Sequence, residues 1–350
     1  MGKELSDVNV NGTKYARVFV YLTLTLLLLF LLDIILGSVS LSLREIAGAL
    51  KDRDDLAGLI IFSFRLPKAF TAILAGAALS VSGLLMQTIF RNPLAGPYVL
   101  GISSGASLGV AVVLLGFSSF IPVSAVKASG AWLIAAASWI GAGAIMMLIM
   151  FISMRIKDIL TVLIIGIMLS SGISAVVSIM QYFSSETMLK SYVIWTMGSL
   201  GNVDSGQLRV MALCVLAGLA LALVSSKMLN ALLLGEAYAS TLGTNLTTAR
   251  VLIFSSTSLL AGTVTAFCGP IGFIGIAVPH IVKFFLRTSE HRILLPASIL
   301  AGSSILLLSD IISQMPGSDK ILPVNAITSL TGIPVIIWVI LKNREYRFSV

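Results

Sequence analysis

Few residues in this 350-residue chain have the types and spacing for covalent chemistry. There are two histidines, His280 and His291, and two cysteines, Cys214 and Cys268, which lie in separate apolar runs with no CxxC spacing. No G-x-x-x-x-G-K-[ST] nucleotide loop occurs: the only Gly-Lys pair is Gly2-Lys3. HExxH and GxSxG are also missing. A hydrolase would need a nucleophile beside a matched base, and nothing in the sequence pairs His280 with Asp310. His, Cys and Met form no ligand cluster, so neither a metal nor a cofactor is expected. The informative feature is instead the stretch FRNPLAGPYVLGISSGAS, residues 90 to 107. It holds two prolines, three glycines and an Arg-Asn pair between two apolar runs.

The elements around that stretch follow from composition. Hydrophobic residues make up 57% of the chain and charged residues 11%, with a mean hydropathy of +1.03. A soluble domain carries about 25% charged residues, so most of this surface must face lipid or other membrane helices. Apolar runs recur at 18–36, 69–89, 98–117, 131–152, 159–183, 208–226, 251–268, 270–286, 294–312 and 321–341. These ten predict an all-α integral membrane protein. The first run follows Lys3, Lys14 and Arg17 and is long enough for an uncleaved span. The seventh and eighth runs meet at CGPIG, where Gly269, Pro270 and Gly272 suit a tight reversal.

An even number of spans puts both termini on one side. If that side is the cytoplasm, it carries 14 of the 23 Lys and Arg residues, as the positive-inside bias requires. The net charge of +8 is then a property of basic loops, and no nucleic-acid partner is implied.

Gly, Ala and Ser are dense in AGAALSVSG (75–83), GISSGASLG (101–109) and GAGA (141–144), and Gly101, Gly105 and Gly109 fall four apart. Small residues at that spacing let helix backbones approach closely. Between the sixth and seventh runs lies a longer segment, 225–251, in which LNALLLGEAYASTLG reads as two short helices broken at Gly235-Glu236 and stopped at Gly243. A structured loop of that size suits either docking of a partner or an interfacial helix on lipid headgroups.

Several segments resemble the FecCD-type permeases, the membrane subunits of ABC importers for iron-siderophore complexes, haem and cobalamin. RLPKAFTAILAGAALSVSGLLMQTIFRNPLAGPYVLGISSGASLG (65–109) resembles one family signature and GPIGFIGIAVPHIVKFFLRTSEHRILLPASILAGSSILLLSDII (269–312) another. LLLGEAYASTLG looks like the ATPase-docking loop, and LPVNAITSLTGIPVIIWVILK like the last helix. The resemblance runs over nearly the whole chain after about residue 60, read as a single permease domain, 1–350, with 225–251 as its docking loop. It implies the type II importer fold, in which helices two to five and seven to ten form an inverted repeat. It also implies a homodimer in the inner membrane, two separate ATPase subunits that hydrolyse the ATP, and a periplasmic binding protein.

By the same resemblance Asn92, Pro93, Leu94 and Gly96 line the translocation gate, and Gly235, Glu236, Leu242 and Gly243 meet the ATPase. Arg65 and Lys68 face acidic residues of the binding protein.

Two positions depart from the family pattern. Ala237-Tyr238 stands where a second acidic residue is common. Gln314 stands near where an arginine often follows the Asp that ends helix nine, which makes Lys320 the candidate for that basic contact. The competing function class is a secondary transporter or channel working alone, and it would need charges inside the spans for ion coupling. Asp33 and Asp310 are the only candidates, both near span ends. An export-type ABC domain fits less well, since it usually has six long spans and a fused ATPase.

Overall fold

A computed structural model describes residues 2–37, 39, 41–49, 55–116, 123–156, 158–314 and 321–347. Among them every regular element is helical: α1 Gly2–Ile35, α2 Leu43–Ala49, α3 Leu56–Ile89, α4 Ile102–Gly116, α5 Val123–Arg155, α6 Ile159–Tyr182, α7 Glu186–Thr196, α8 Ser205–Val224, α9 Ser226–Leu233, α10 Glu236–Thr241, α11 Leu246–Cys268, α12 Ile274–Leu286, α13 His291–Ser313 and α14 Val324–Arg347. Seven of these are long and apolar enough to cross a membrane, and α4, α12 and α14 add three shorter apolar helices, which recovers the ten spans.

Burial sorts the spans by role. From Ala69 to Ile89 α3 is buried almost all round, as expected of a helix that is apolar on every face and sits at the centre of a bundle. It packs on α13, α12, α8 and α11, while α1 lies outside it against α13. By contrast α6 and α8 expose most of their apolar surface, including Ile164, Met168, Leu213 and Leu216. These faces are available to lipid or another subunit.

Small residues set the crossings. Gly76 of α3 meets the Gly302 backbone of α13, and Ser80 Oγ donates to Ser298 O at 2.7 Å. Gly83 meets the backbone of Gly275 at the start of α12, and Gly105 and Gly109 of α4 meet Gly141 and Ala137 of α5. Gly101, expected on the same face, instead precedes α4 at φ +80°, where it turns the chain into the helix.

Two features were not anticipated. The amphipathic helix α7 was missed, because its Glu186 and Lys190 break the apolar pattern. The second span also begins well before residue 69. Its α-helical bonding starts at Leu66, with Pro67 in the first turn as its missing N–H favours, but the chain is already wound from Leu56 through a π-helical turn at Ile60–Arg65.

A Cβ at Gly83 would fall within the Gly275 carbonyl group, backbone against backbone, whereas one at Gly143 would meet nothing. Gly83→Ala should therefore cost about 3 kcal/mol or more through forced separation of α3 and α12. Gly143→Ala should be neutral. Yield of monodisperse protein after detergent extraction checks the pair, and equal yields would refute this account of the crossing.

Candidate functional site

Two faces of the bundle carry the polar chemistry. One bears the 225–251 loop and the end of α3, and the other bears the start of α3 and the end of α13. Between them two irregular segments meet. The first follows α3: Arg91 takes a left-handed φ of 47°, the Asn92 N–H donates to Gln87 O at 3.2 Å, and Pro97–Leu100 forms a single 3₁₀ turn. The second, Gly269 to Phe273, joins α11 to α12, with φ of 74° and 65° at its two ends.

One bond ties the segments to each other, and the flanking helices supply the rest. The Tyr98 hydroxyl donates to Ile271 O, Gln87 Nε2 donates to Ile276 O at 3.2 Å, and Gly96 lies against the Ile276 side chain. His280 Nε2 is 2.7 Å from Pro93 O. A carbonyl only accepts, so this nitrogen carries the proton and holds the turn onto α12. Asn325 Oδ1, at the start of α14, takes the Gly272 N–H at 2.9 Å.

Within the expected gate the residues divide by task. Asn92 Oδ1 accepts the Leu94 N–H at 2.9 Å and so shapes the turn. Gly96 is buried in the packing, whereas Pro93 and Leu94 are exposed. Leu94 is the side chain that projects from the turn.

The loop has the expected form. Gly235, at φ +105°, separates α9 from α10, and Gly243, at φ +81°, ends α10. Glu236 does not project, however. Its carboxylate receives Arg250 Nη2 at 2.9 Å on both oxygens, and Arg250 Nη1 donates to the Ser153 and Ile156 carbonyls at 2.7 and 2.9 Å. Glu236 thereby ties α10 to α11 and to the end of α5. The outward surface is apolar instead, made by Leu234, Tyr238 and Leu242.

On the opposite face Arg65 also turns inward. It is 7% exposed, and its guanidinium donates to the carbonyls of Ile34, Ile35 and Val39, capping the end of α1. Lys68 pairs with the buried Asp310 at 3.0 Å. Gln314 Nε2 bridges Asp310 Oδ2 at 2.8 Å and Asp33 Oδ1 at 3.1 Å, so it joins α13 to α1. These side chains border a cavity of about 580 Å³. Lys320 lies outside the described residues.

Sequence reasoning gave no role to Arg250, Asn230, Thr88 or His291. The last three form a network, buried at Thr88 and His291 and half-buried at Asn230, where the loop meets α3 and α13. Glu290 completes it. A hydrogen bond from Asn230, reinforced by the Arg292 N–H, holds the Glu290 carboxyl below its usual range. Their separations of 61 and 203 residues leave no local signature.

A model of the FecCD transport family matches residues 25–342. Among curated relatives, the hemin transport system permease protein of Yersinia pestis is 34% identical over 340 residues, covering 97% of this chain and 99% of that protein. The vitamin B12 import system permease protein of Klebsiella pneumoniae is 38% identical over 287 residues, covering 82% and 83%. A solved metal-chelate type ABC transporter in an inward-facing conformation superimposes with a TM-score of 0.81 at 31% identity, covering 93% of this chain and 99% of that one.

Glu236→Ala would leave the nearly buried Arg250 guanidinium without its carboxylate. The loss should be about 3 kcal/mol, the lower end for a broken buried pair, because Glu236 keeps some solvent contact. The thermal unfolding midpoint of the purified permease should fall, while Tyr238→Ala, an exposed truncation, should leave it in place. An unchanged midpoint in Glu236→Ala would mean that the Ser153 and Ile156 carbonyls suffice for Arg250.

Proposed function

This chain belongs to the FecCD transport family, and on that premise we propose that it is the permease subunit of an ABC importer that moves a metal chelate, either an iron complex (ferric siderophore or haem) or cobalamin, across the bacterial inner membrane. The observation that carries the reading is the 225–251 loop. An ordered pair of short helices presents Leu234, Tyr238 and Leu242 outward from a membrane body whose sequence has no nucleotide loop of its own. Exposed apolar side chains on a rigid turn suit a protein partner, and in this reading the partner is the ATPase.

The charge bias then puts the loop face and both termini in the cytoplasm. Of the expected docking residues, Leu242 supplies contact area, Gly235 and Gly243 set the turns, and Glu236 holds the platform in place. The permease acts as a homodimer, with two ATPase chains below and a binding protein on the opposite face. On that face Lys68, partly open to solvent, offers positive charge, with Lys320 the further basic candidate from the sequence, and Arg65 shapes the rim from within. The path runs past Leu94, with Asn92, Pro93 and Gly96 holding the turn that carries it. The secondary-transporter reading loses support from the pairing of Asp310 with Lys68 and of Asp33 with Gln314, which gives both candidate carboxylates partners within the protein.

Proteoliposomes holding the permease with its cognate ATPase and binding protein test the reading. Tyr238→Asp combined with Leu242→Asp should abolish ATPase co-purification and lower ATP-dependent uptake at least tenfold. The exposure of both residues means the unfolding midpoint should stay within a few degrees. Uptake that persists without any ATPase chain would overturn the proposal in favour of a stand-alone transporter.

A further inference from the structure

The end of α3 is bonded to the 225–251 loop through a polar chain that is buried at Thr88 and His291 and half-buried at Asn230 and Glu290. Thr88 and His291 are 2% and 1% exposed. Thr88 Oγ1 lies 2.8 Å from His291 Nε2 and 2.9 Å from Leu84 O. His291 Nδ1 is 2.7 Å from Asn230 Oδ1, which also receives the His291 N–H at 3.0 Å. Asn230 Nδ2 donates to Glu290 Oε1, the same oxygen that takes the Arg292 N–H at 3.2 Å and caps α13.

Donor logic fixes most of the chain. The Glu290 carboxylate only accepts, so the Asn230 amide turns its NH2 toward Glu290 and its oxygen toward His291. His291 Nδ1 therefore carries a proton. The Thr88 hydroxyl has one proton and two neighbours that can take it, His291 Nε2 and Leu84 O. Thr88 is two residues from Phe90, where the irregular turn begins, and His280 holds the same turn from the other side through Pro93 O.

We propose that Asn230, His291 and Thr88 are positioning residues that make the loop helix α9, the first turn of α13 and the last turn of α3 move as one unit. Displacement of the loop is thereby transmitted to the Arg91–Ala95 turn that carries Leu94. Apolar contacts can slide by an ångström at little cost, whereas this chain cannot, because separating α9 from α13 and α3 leaves the buried Thr88 and His291 and the half-buried Asn230 with broken hydrogen bonds. The absent side chain of Gly235 gives a second point of approach, since a Cβ there would sit 3.3 Å from the Arg91 guanidinium. The proposal rests on the reading of the 225–251 loop as the ATPase contact.

The test uses the reconstituted complex with Cys214→Ser, Cys268→Ser and Leu94→Cys as background. It reads transport per ATP hydrolysed and the ATP-dependent change in labelling of residue 94 by a membrane-impermeant maleimide from the loop side. Thr88→Val keeps the shape and removes the hydroxyl. It should leave folded yield and hydrolysis within twofold, lower transport per ATP about tenfold and abolish the ATP-dependent labelling change. Thr88→Ser should restore both.

A coupling ratio and labelling change within twofold of the background in Thr88→Val would overturn the proposal. Should that variant fail to accumulate, Asn230→Ala on the surface helix α9 reports the same link, and a normal ratio there would equally overturn it. If no ATPase assembles with the unaltered permease, the docking reading itself has failed, an outcome distinct from either.

Discussion

Non-helical backbone inside an apolar bundle has no water to bond to and must find protein partners. The rest of this fold depends on how that need is met. α12 has 13 residues, about 20 Å at 1.5 Å per residue, so it starts well inside a hydrocarbon layer of about 30 Å. The missing depth is covered by Gly269 to Phe273, whose free groups go to Tyr98 and Asn325, while the Ser199 N–H donates to the Cys268 carbonyl just before it. The turn after α3 has the same problem from the opposite face and solves it with the Gln87 carbonyl, which takes the Asn92 N–H, and with His280, which donates to Pro93 O. Two interruptions that would each be intolerable alone are stable because one bond ties them and the flanking helices supply the rest.

This bonding accounts for the small residues around it. Tyr98 can reach Ile271, and Gln87 can reach Ile276, only if α3 and α12 touch at backbone distance, which Gly83 and Gly275 permit. The same close approach at Gly76 and Gly302 brings Ser80 and Ser303 within bonding distance of carbonyls on the facing helix. Glycine density in the sequence thus reports polar chemistry between helices as much as tight packing.

That density was legible, as were the ten apolar runs, the split of the loop at Gly235 and the two Pro/Gly interruptions, because each is written in adjacent residues. What could not be read is where charged side chains point. Arg65 at a span boundary looks the same in sequence whether it reaches toward water or, as here, folds back to carbonyls 26 to 31 residues earlier. The resemblance put Glu236 among the ATPase contacts, but no local pattern showed its pairing with Arg250, 14 residues on and across a helix boundary. The resemblance put Leu94 and Asn92 together at the gate; in the structure Leu94 is exposed on the turn, whereas Asn92 bonds its own backbone, a local bond compatible with any Asn-Pro turn.

The polar ties converge on α3. At one end Arg65 and Lys68 bind it to the end of α1 and to α13, and at the other Thr88 and Gln87 bind it to α13 and α12. Between them α-helical bonding runs unbroken from Leu66 to Ile89. A buried helix held at both ends and packed backbone to backbone along its length moves as a rod rather than bending. In the coupling proposed above, movement at the loop face reaches the rim, where the Lys68–Asp310 pair borders the 580 Å³ cavity. The rod has one weak place. At Ile60–Arg65 the bonding is π-helical, and Pro67 just beyond it donates nothing. The part of α3 before Leu66 can thus follow α1, to which Arg65 ties it, while the remainder follows α13. A single helix in this way joins the loop face to the Lys68–Asp310 rim while its first turns stay with α1.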